Sequence, residues 1–248
     1  MGTVLATNKR TKASLHYTVI DIRSLRIKGI VQDDRLELPL YGLSESALYL
    51  RVPVTTLEYW AFGRHNIKPI IHASSECPRA LSFMNLLECH MLVAMKKLYD
   101  LKLPKIRKGL IHLQKSSGFR HPLIEEPLYT NRVDLLIKEL DQFVNISRGG
   151  QLAMPEMQLH LERVEREQGK FNFYPFVRER SATEPKLILI SPSLSFGKPV
   201  IAGTGISTAV IASRFNARES IPDLASEYGL EETQIEEAIR WETRATAA

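Results

Sequence analysis

LSESALYLRVPVTTLEYW, the segment at residues 43–60, predicts two short helices joined by a tight turn. Ser44 is a favourable N-cap residue, so the first helix is expected to begin there and to run to about Arg51. Pro53 suits the first turn of a second helix, which is expected to continue through Trp60 and to end at Gly63. This arrangement is typical of a helix-turn-helix, and an ordinary helical hairpin would show the same pattern.

The outer face of the predicted helix pair is suited to contact with nucleic acid. Four apolar residues are expected to form the core that the two helices share: Ala47, Leu50, Val52 and Leu57. The residues left facing outward are Thr55, Thr56, Glu58 and Tyr59. Short hydroxyl side chains at the start of a helix suit contacts with phosphate oxygens and base edges. With the basic side chains nearby, the predicted DNA contacts are Ser44, Arg51, Thr55, Thr56, Tyr59, Arg64, Lys68 and Arg79.

A wing and two longer helices are predicted after the helix pair. Residues 66–78 combine alternating apolar positions with a proline and small residues, which favours a short hairpin. Ser82 is expected to cap a long helix, and a further helix is expected from Pro104 to about Gln114. The apolar face of the long helix is predicted to be Met84, Leu87, Met91, Ala94, Met95 and Leu98.

The second half of the chain is predicted to mix short strands with helices. Residues 128–153 favour short strands, and Pro155 is expected to start a helix that runs to about Gln168. A strand is expected over Phe171–Val177, followed by a candidate linker at Ser181–Pro185.

Local capping signals are strongest near the C-terminus. A strand is expected at Leu187–Ile190. Ser220 and Asp223 have the spacing of a capping box, and Gly229 is expected to end the helix that they begin. The last predicted helix is Glu232–Thr243.

Composition narrows the class of protein. The chain has 248 residues, 44% hydrophobic and 25% charged, which is ordinary for a globular protein. Two cysteines are too few for a disulfide framework and fit a reducing cytoplasm. No apolar run is long enough to predict a membrane span, and residues 1–12 are too polar and basic for a signal peptide.

Charge is distributed unevenly along the chain. Residues 1–180 contain 27 basic and 19 acidic side chains, whereas residues 181–248 contain 6 and 9. The asymmetry favours a basic body that meets a polyanion and an acidic end that does not. A basic protein with an ordinary solvated surface would have the same composition.

Residues 40–115 resemble the DNA-binding region of the MerR family. The matching positions are Ser44, Ala47, Val52, Thr56, Leu57, Tyr59, Trp60, Arg64, Lys68, Arg79, Pro104, Ile106 and Arg107. The resemblance implies a helix-turn-helix, a basic wing and two further helices. Glu58 departs from the family pattern, which usually has a basic residue there, and a carboxylate at this position would repel phosphate.

A second resemblance covers the C-terminal part. FGKPVIAGTGIS at residues 196–207 and IPDLASEYGL at residues 221–230 resemble the domain of unknown function numbered 433. Gly205 stands where that domain usually has arginine. Together with residues 128–153 and the MerR-like half, the chain over about residues 36–243 resembles the larger VapB-type antitoxins. That resemblance implies repression of the protein's own promoter and neutralisation of a PIN-type ribonuclease.

The last helix is predicted to expose mostly glutamates, and DNA would repel such a face. It is either a docking surface for a protein partner or a solvated acidic face. If a toxin docks there, an arginine could reach the carboxylates of its metal site, because the planar guanidinium pairs with carboxylates. The candidates for this role are Arg214, Arg218, Arg240 and Arg244.

Other chemistries find less support in the sequence. The glycines at residues 197–205 lack the order of a phosphate-binding loop, so two β-turns are expected there. The residues Cys77, Cys89, His90, His72 and His65 match no zinc-ligand spacing. No catalytic triad has a local signature either. We therefore expect no enzyme, no cofactor and no metal.

The sequence as a whole predicts a mainly α fold with small β elements. The expected organisation is an N-terminal arm of unknown role (1–35), a winged helix-turn-helix (36–120), a β/α connecting segment (121–180) and a C-terminal helical domain (181–248). The predicted function is that of a cytoplasmic, homodimeric antitoxin, whose partners are operator DNA and a PIN-like ribonuclease. The alternative is a stand-alone MerR-like transcription regulator without a toxin.

Overall fold

The computed structural model describes residues 34–73, 79–99, 103–118, 120–125, 157–167, 170–178 and 183–246. Within these ranges the chain is mainly helical and has three pairs of short antiparallel strands, which confirms the predicted fold class at this level. The predictions for residues 1–33 and 128–153 lie outside the described residues.

Two short helices follow each other where the sequence predicts them. Helix α1 spans Leu43–Leu50 and helix α2 spans Val54–Phe62. Arg51 ends α1 in the left-handed conformation, with a φ of 55°, and Pro53 precedes α2 as its N-cap. Gly63 ends α2 with a φ of 73°, which a residue without Cβ adopts readily. Both boundaries of α2 are therefore confirmed.

The predicted N-cap of α1 is wrong. Strand β1 (Tyr41–Gly42) pairs antiparallel with strand β2 (Ala80–Leu81), and Gly42 is the N-cap of α1. The helix begins directly after the strand, where the Leu43 amide donates to the Arg79 carbonyl at 3.2 Å. Ser44 consequently lies inside the first turn, with its side chain exposed.

The predicted hairpin or wing is not confirmed. Its described part, residues 66–73, contains no strand pair. The Ile70 and Ile71 amides both donate to the carbonyl of Trp60, at 2.7 and 3.2 Å, which holds this segment against the end of α2. Both isoleucine side chains are buried, so the segment contributes to the core.

Helix α3, Phe83–Tyr99, is the centre of the N-terminal half. Its predicted cap is confirmed, since the Ser82 hydroxyl accepts from the Asn85 amide at 3.1 Å and the Asn85 side chain accepts from the Ser82 amide at 3.3 Å. Burial extends beyond the predicted apolar face, because every residue from 83 to 95 is buried. Helix α4, Leu103–Ser117, includes the predicted span, and its buried side chains belong to the same hydrophobic cluster as those of α3.

A strand pair replaces the second part of one predicted helix. Helical conformation covers residues 157–161, after which strand β3 (Val164–Glu167) pairs with strand β4 (Lys170–Phe173). The helix predicted from Pro155 to Gln168 is therefore wrong beyond residue 161. Side-chain burial favours the strand pair over the predicted helix, since Val164 lies opposite Phe173 in the pair and both side chains are buried.

A third strand pair joins the second. Strand β5 (Ile188–Leu189) pairs with strand β6 (Val200–Ile201), and Phe173 exchanges backbone hydrogen bonds of 2.9 and 2.8 Å with Ile190. The described part of the predicted linker, residues 183–185, is packed: Glu184 is buried, and its carboxylate accepts from the Val177 and Arg178 amides.

Three helices end the described chain. Helix α5 spans Thr208–Asn216, helix α6 spans Ile221–Tyr228 and helix α7 spans Glu232–Thr246. The predicted cap of α6 is confirmed, since Ser220 accepts from the Asp223 amide at 3.2 Å and Gly229 has a φ of 65°. The buried side chains that join the three helices are Ile211, Leu224, Ile235, Ala238 and Trp241.

One hydrophobic cluster connects α1–α4 with β3–β6 and α5–α7, and the described residues belong to one compact unit. None of the described helices combines the length and apolar character needed to cross a membrane.

A buried ionic cluster lies beside α3. The His121 ring contacts Glu88 at 2.8 Å through Nδ1 and Glu37 at 2.9 Å through Nε2, and it is only 1% exposed. Burial by itself lowers the pKa of His121, but hydrogen bonds with Glu37 and Glu88 and their charges outweigh it and raise the pKa to about 9. The cluster thus attaches the turn at Asp34–Leu36 and residues 120–125 to α3.

The His121 cluster predicts a loss of stability in alkaline solution. A raised histidine pKa stabilises the fold fully below about pH 6.5, and this contribution is lost as pH rises through about 9. The free energy of unfolding should fall by about 3 kcal/mol across that interval, as urea denaturation at a series of pH values would measure. His121→Gln should flatten this slope, whereas replacement of the exposed His72 by Gln should leave it unchanged. An unchanged slope in the His121 variant contradicts the assignment.

Candidate functional site

Helix α2 presents a small polar face to solvent. Leu57, Trp60 and Ala61 are buried, while Thr55 is exposed and Thr56 is half-buried at the first turn. Within the part of the chain that the structure describes, neither threonine hydroxyl is used in a hydrogen bond to protein. Both remain available to a ligand at the N-terminal end of α2, where free backbone amides favour anions.

Tyr59 differs from the threonines in that half of it is covered. It packs against the hydrophobic cluster as a partly buried residue. A contact to DNA would therefore use only the exposed part of this side chain.

The unusual acid on α2 is paired in the structure. Arg79 lies 3.0 Å from Glu58, and the two side chains are 76% and 38% exposed. Such an exposed pair contributes little to stability. It does place a guanidinium against the carboxylate that departs from the MerR pattern, so the local charge of this face is close to neutral.

Two further basic side chains follow α2. A two-residue turn joins Arg64 to Ile67, with backbone hydrogen bonds of 3.1 and 2.9 Å between them. Arg64 and Lys68 flank this turn, and both are exposed. The structure therefore places Arg64, Lys68 and the threonines at the two ends of the same short helix.

Arg51 has a different environment from the other predicted DNA contacts. Its guanidinium donates to the backbone carbonyls of Arg178, at 2.5 Å, and Val177. Burial lowers the pKa of Arg51, which the charge of Glu184 opposes. This side chain links α1 to residues 177–178, a role that sequence alone gave no signal for.

The back of α1 packs against the C-terminal helix. The rings of Tyr49 and Trp241 have centroids 5.4 Å apart, and Lys198 donates to Glu45 at 2.7 Å. Burial, followed by a hydrogen bond to Glu45, raises the pKa of Tyr49 well above its usual range. An open groove of about 870 Å³ lies along this seam, between α1, the turn at residues 51–54 and Trp241.

A close backbone approach fixes the same seam at a second point. Gly197 has a φ of 78°, and a Cβ there would lie 2.4 Å from the Tyr41 hydroxyl oxygen. Tyr41 is buried, so its ring has no space into which to move.

The C-terminal arginines differ in how far their donors are occupied. Arg214 donates to Glu219 at 2.8 Å, to Glu227 at 2.6 Å and to Tyr228 at 3.0 Å, and these bonds raise its pKa. Arg240 forms an ion pair with Glu237, and the Glu237 carboxylate also forms an ion pair with Arg178. Arg218 is exposed and forms no ion pair within the described ranges. The Arg244 side chain lies outside them.

Among the described residues, no group of three His, Cys, Asp or Glu is suited to a metal ion. Cys89 is buried, which raises the pKa of its thiol, and Cys77 lies outside the described residues. His90 instead contacts His160 at 3.3 Å, and both rings pack against Phe176.

Comparison with known families finds a match for the last part of the chain. Residues 188–241 match a family model. It is described as "Protein of unknown function (DUF433)". The match runs from β5 into α7 and agrees with the second resemblance in the sequence.

Relatives extend the comparison to the N-terminal half. A Mycobacterium tuberculosis protein named "Putative antitoxin VapB45" is 25% identical over an alignment of 231 positions. The alignment covers 83% of this chain and 94% of that protein. A crystal structure of Rv2018 from the same organism has a TM-score of 0.55 and 23% identity, and it covers 83% of this chain and 99% of that one. The chain is therefore antitoxin-like in sequence and shares its fold with a solved structure. The MerR resemblance of residues 40–115 stays a prediction.

The close contact at Gly197 predicts that alanine substitutions at two glycines with the same φ will differ in their effect on stability. Gly197 and Gly203 both have a φ of 78°, but a Cβ at Gly203 would meet no atom of the described residues within 4 Å. Gly203→Ala should lower the free energy of unfolding by about 1 kcal/mol through backbone strain alone. Gly197→Ala should lower it by a further ~1–3 kcal/mol, because the added methyl overlaps the Tyr41 side chain. Equal losses in urea denaturation would show that the Tyr41 contact does not constrain the seam.

Proposed function

We propose that this protein is the antitoxin of a type II toxin–antitoxin pair, which binds its own promoter DNA and neutralises a PIN-like ribonuclease. The observation that carries the proposal is the extent of the match to the named antitoxin, 83% of this chain and 94% of the relative. A match of that extent includes the α1–α2 surface and at least part of the DUF433 segment. Such partners place the protein in the cytoplasm.

The charge and exposure of the N-terminal half support the DNA-binding part of the proposal. Residues 40–115 contain 11 basic and 5 acidic side chains. Thr55, Thr56, Arg64 and Lys68 are accessible around α2. DNA affinity rests largely on neutralised phosphates, with a few side chains contacting base edges. Because one short helix contacts few bases, we propose that a symmetric homodimer binds a palindromic operator.

The acidic surface of α7 supports the toxin-binding part. Glu232 and Glu236 are exposed on this helix, and Glu231 lies just before it. A nuclease needs a basic surface to hold RNA, and such a surface would attract these carboxylates. Among the four candidate arginines, Arg218 is the best suited to enter a carboxylate site, since Arg214 and Arg240 already pair with glutamates.

DNA binding should depend steeply on salt. If about four to six phosphates are neutralised per dimer, log affinity for the upstream promoter fragment should fall against log salt with a slope of about −4 to −5. Fluorescence anisotropy over a salt series would measure it. Arg64→Ala should weaken binding to promoter and random DNA alike, whereas Thr56→Ala should change the preference between them. A slope near zero, or equal effects of both variants on the two DNAs, contradicts the assigned surface.

Toxin neutralisation should depend on Arg218. The experiment uses the full chain, because α7 packs against α1 through Tyr49 and Trp241. The protein is co-expressed with the product of the adjacent reading frame, and growth, co-purification and RNA cleavage are measured. Arg218→Gln should cost about 2–5 kcal/mol of binding, as expected when one partner of a buried ion pair is removed.

Replacement of Arg64, an exposed arginine of the N-terminal half, by Gln is the matched control and should neutralise the toxin like the parent chain. If the parent chain itself neither binds the neighbouring product nor restores growth, the antitoxin proposal is wrong and the stand-alone regulator is favoured. If only Arg218→Gln is indistinguishable from the parent, the docking arginine is wrong.

A further inference from the structure

A second, smaller pocket lies on another part of the surface. It has a volume of about 160 Å³ and lies between the segment after α2, helix α4 and residues 120–122. Apolar side chains form one wall, and the polar side chains that line it are Lys68, His72, Glu88, Arg107, Gln114 and Arg120. Three of these six carry a permanent positive charge.

Arg107 is the residue of this pocket that indicates a ligand. Its Nε and Nη2 atoms are buried, and neither has a hydrogen-bond partner among the described residues. A guanidinium stays charged at all ordinary pH values, so its buried donors cannot escape the cost of desolvation by losing a proton. Unsatisfied buried donors of this kind are rare and require an explanation.

The other charged groups leave the pocket positive overall. Lys68 and Arg120 are exposed, and the Arg120 guanidinium forms an ion pair with the Glu37 carboxylate at 3.5 Å. Among the described residues of the lining, Glu88 is the one carboxylate, and His121 contacts it at 2.8 Å. Since His121 is protonated near neutral pH, it offsets the charge of Glu88. His72 lies 3.2 Å from Gln114 and contributes polar atoms.

We propose that this pocket binds one phosphate group, either from a DNA backbone or from a small phosphorylated molecule. Arg107 lines the pocket with a planar guanidinium, a group that pairs with phosphate oxygens, and Lys68 and Arg120 add charge. Pockets for whole organic ligands usually measure about 300–1,000 Å³, so this one fits a single phosphate group. The pocket should bind inorganic phosphate whether or not the protein is an antitoxin.

Binding of inorganic phosphate to the full chain tests the pocket directly. Isothermal titration calorimetry at constant ionic strength, with chloride as the reference anion, should show saturable binding of phosphate. Arg107→Gln should weaken it by at least about tenfold, because a charge-assisted contact is lost. Lys108→Gln is the matched control: Lys108 is the next residue of α4, it is exposed and it does not line the pocket. Its affinity should stay within about twofold of the parent.

Lys68→Gln keeps the test decisive if the Arg107 variant does not fold. Lys68 is exposed, so its replacement leaves the core intact, and phosphate affinity should still fall by a few-fold. Absence of phosphate binding by the parent chain above the chloride reference overturns the proposal. So does unchanged phosphate affinity in the folded Arg107 variant or, if that variant does not fold, in Lys68→Gln.

The salt dependence of promoter binding distinguishes the two sources of phosphate. If a DNA phosphate occupies the pocket, Arg107→Gln should reduce the slope of log affinity against log salt by about one, and inorganic phosphate should compete with DNA. If the ligand is a small phosphorylated molecule, Arg107→Gln should leave that slope unchanged while phosphate binding is lost. Phosphate binding by a chain that does not bind DNA supports the pocket and counts only against the proposed function.

Discussion

Helix α3 is buried from residue 83 to residue 95, and the other elements are arranged to cover it. A helix covered on every side needs a partner for each polar side chain that it contains. Asn85 donates to the His72 carbonyl, Glu88 pairs with His121 and His90 contacts His160. These three partners come from different parts of the chain, so the polar groups of one helix fix the positions of segments far apart in sequence.

The same constraint explains why the helix pair α1–α2 is exposed on one side only. Its inner side packs on α3 and, through Tyr49 and Arg51, on the C-terminal half. The outer side keeps the threonines of α2 and the basic residues around it. The surface proposed for DNA and the surface proposed for a toxin are thus built on one continuous core. A change in the packing of α7 would alter the packing of α1, because Trp241 of α7 contacts Tyr49 of α1.

Local signals in the sequence predicted local structure well. Pro53 and Gly63 gave the ends of α2, Ser82 gave the start of α3, and Ser220 with Gly229 bounded α6. These signals work because each cap is satisfied by groups three or four residues away.

The expectations that failed involve partners distant in sequence. Ser44 lost its role as N-cap because strand β1 pairs with residues almost forty positions later, and the helix after Pro155 gave way to the β3–β4 pair. Arg51 donates to the carbonyl of Arg178, 127 residues later in the chain, and no sequence motif predicts such a hydrogen bond. The pairing of Tyr49 with Trp241, which builds the groove, has no local signature either.

These distant contacts have a consequence for the order in which the protein is made. Arg51 precedes Arg178 by 127 residues, and Glu45 precedes Lys198 by 153. At translation rates of about 5–20 residues per second, the first helices leave the ribosome several seconds to about half a minute before their partners. During that time Tyr49 and Tyr41 lack the residues that cover them. A chain released before α7 is complete would carry this apolar surface permanently, so incomplete chains are expected to be short-lived.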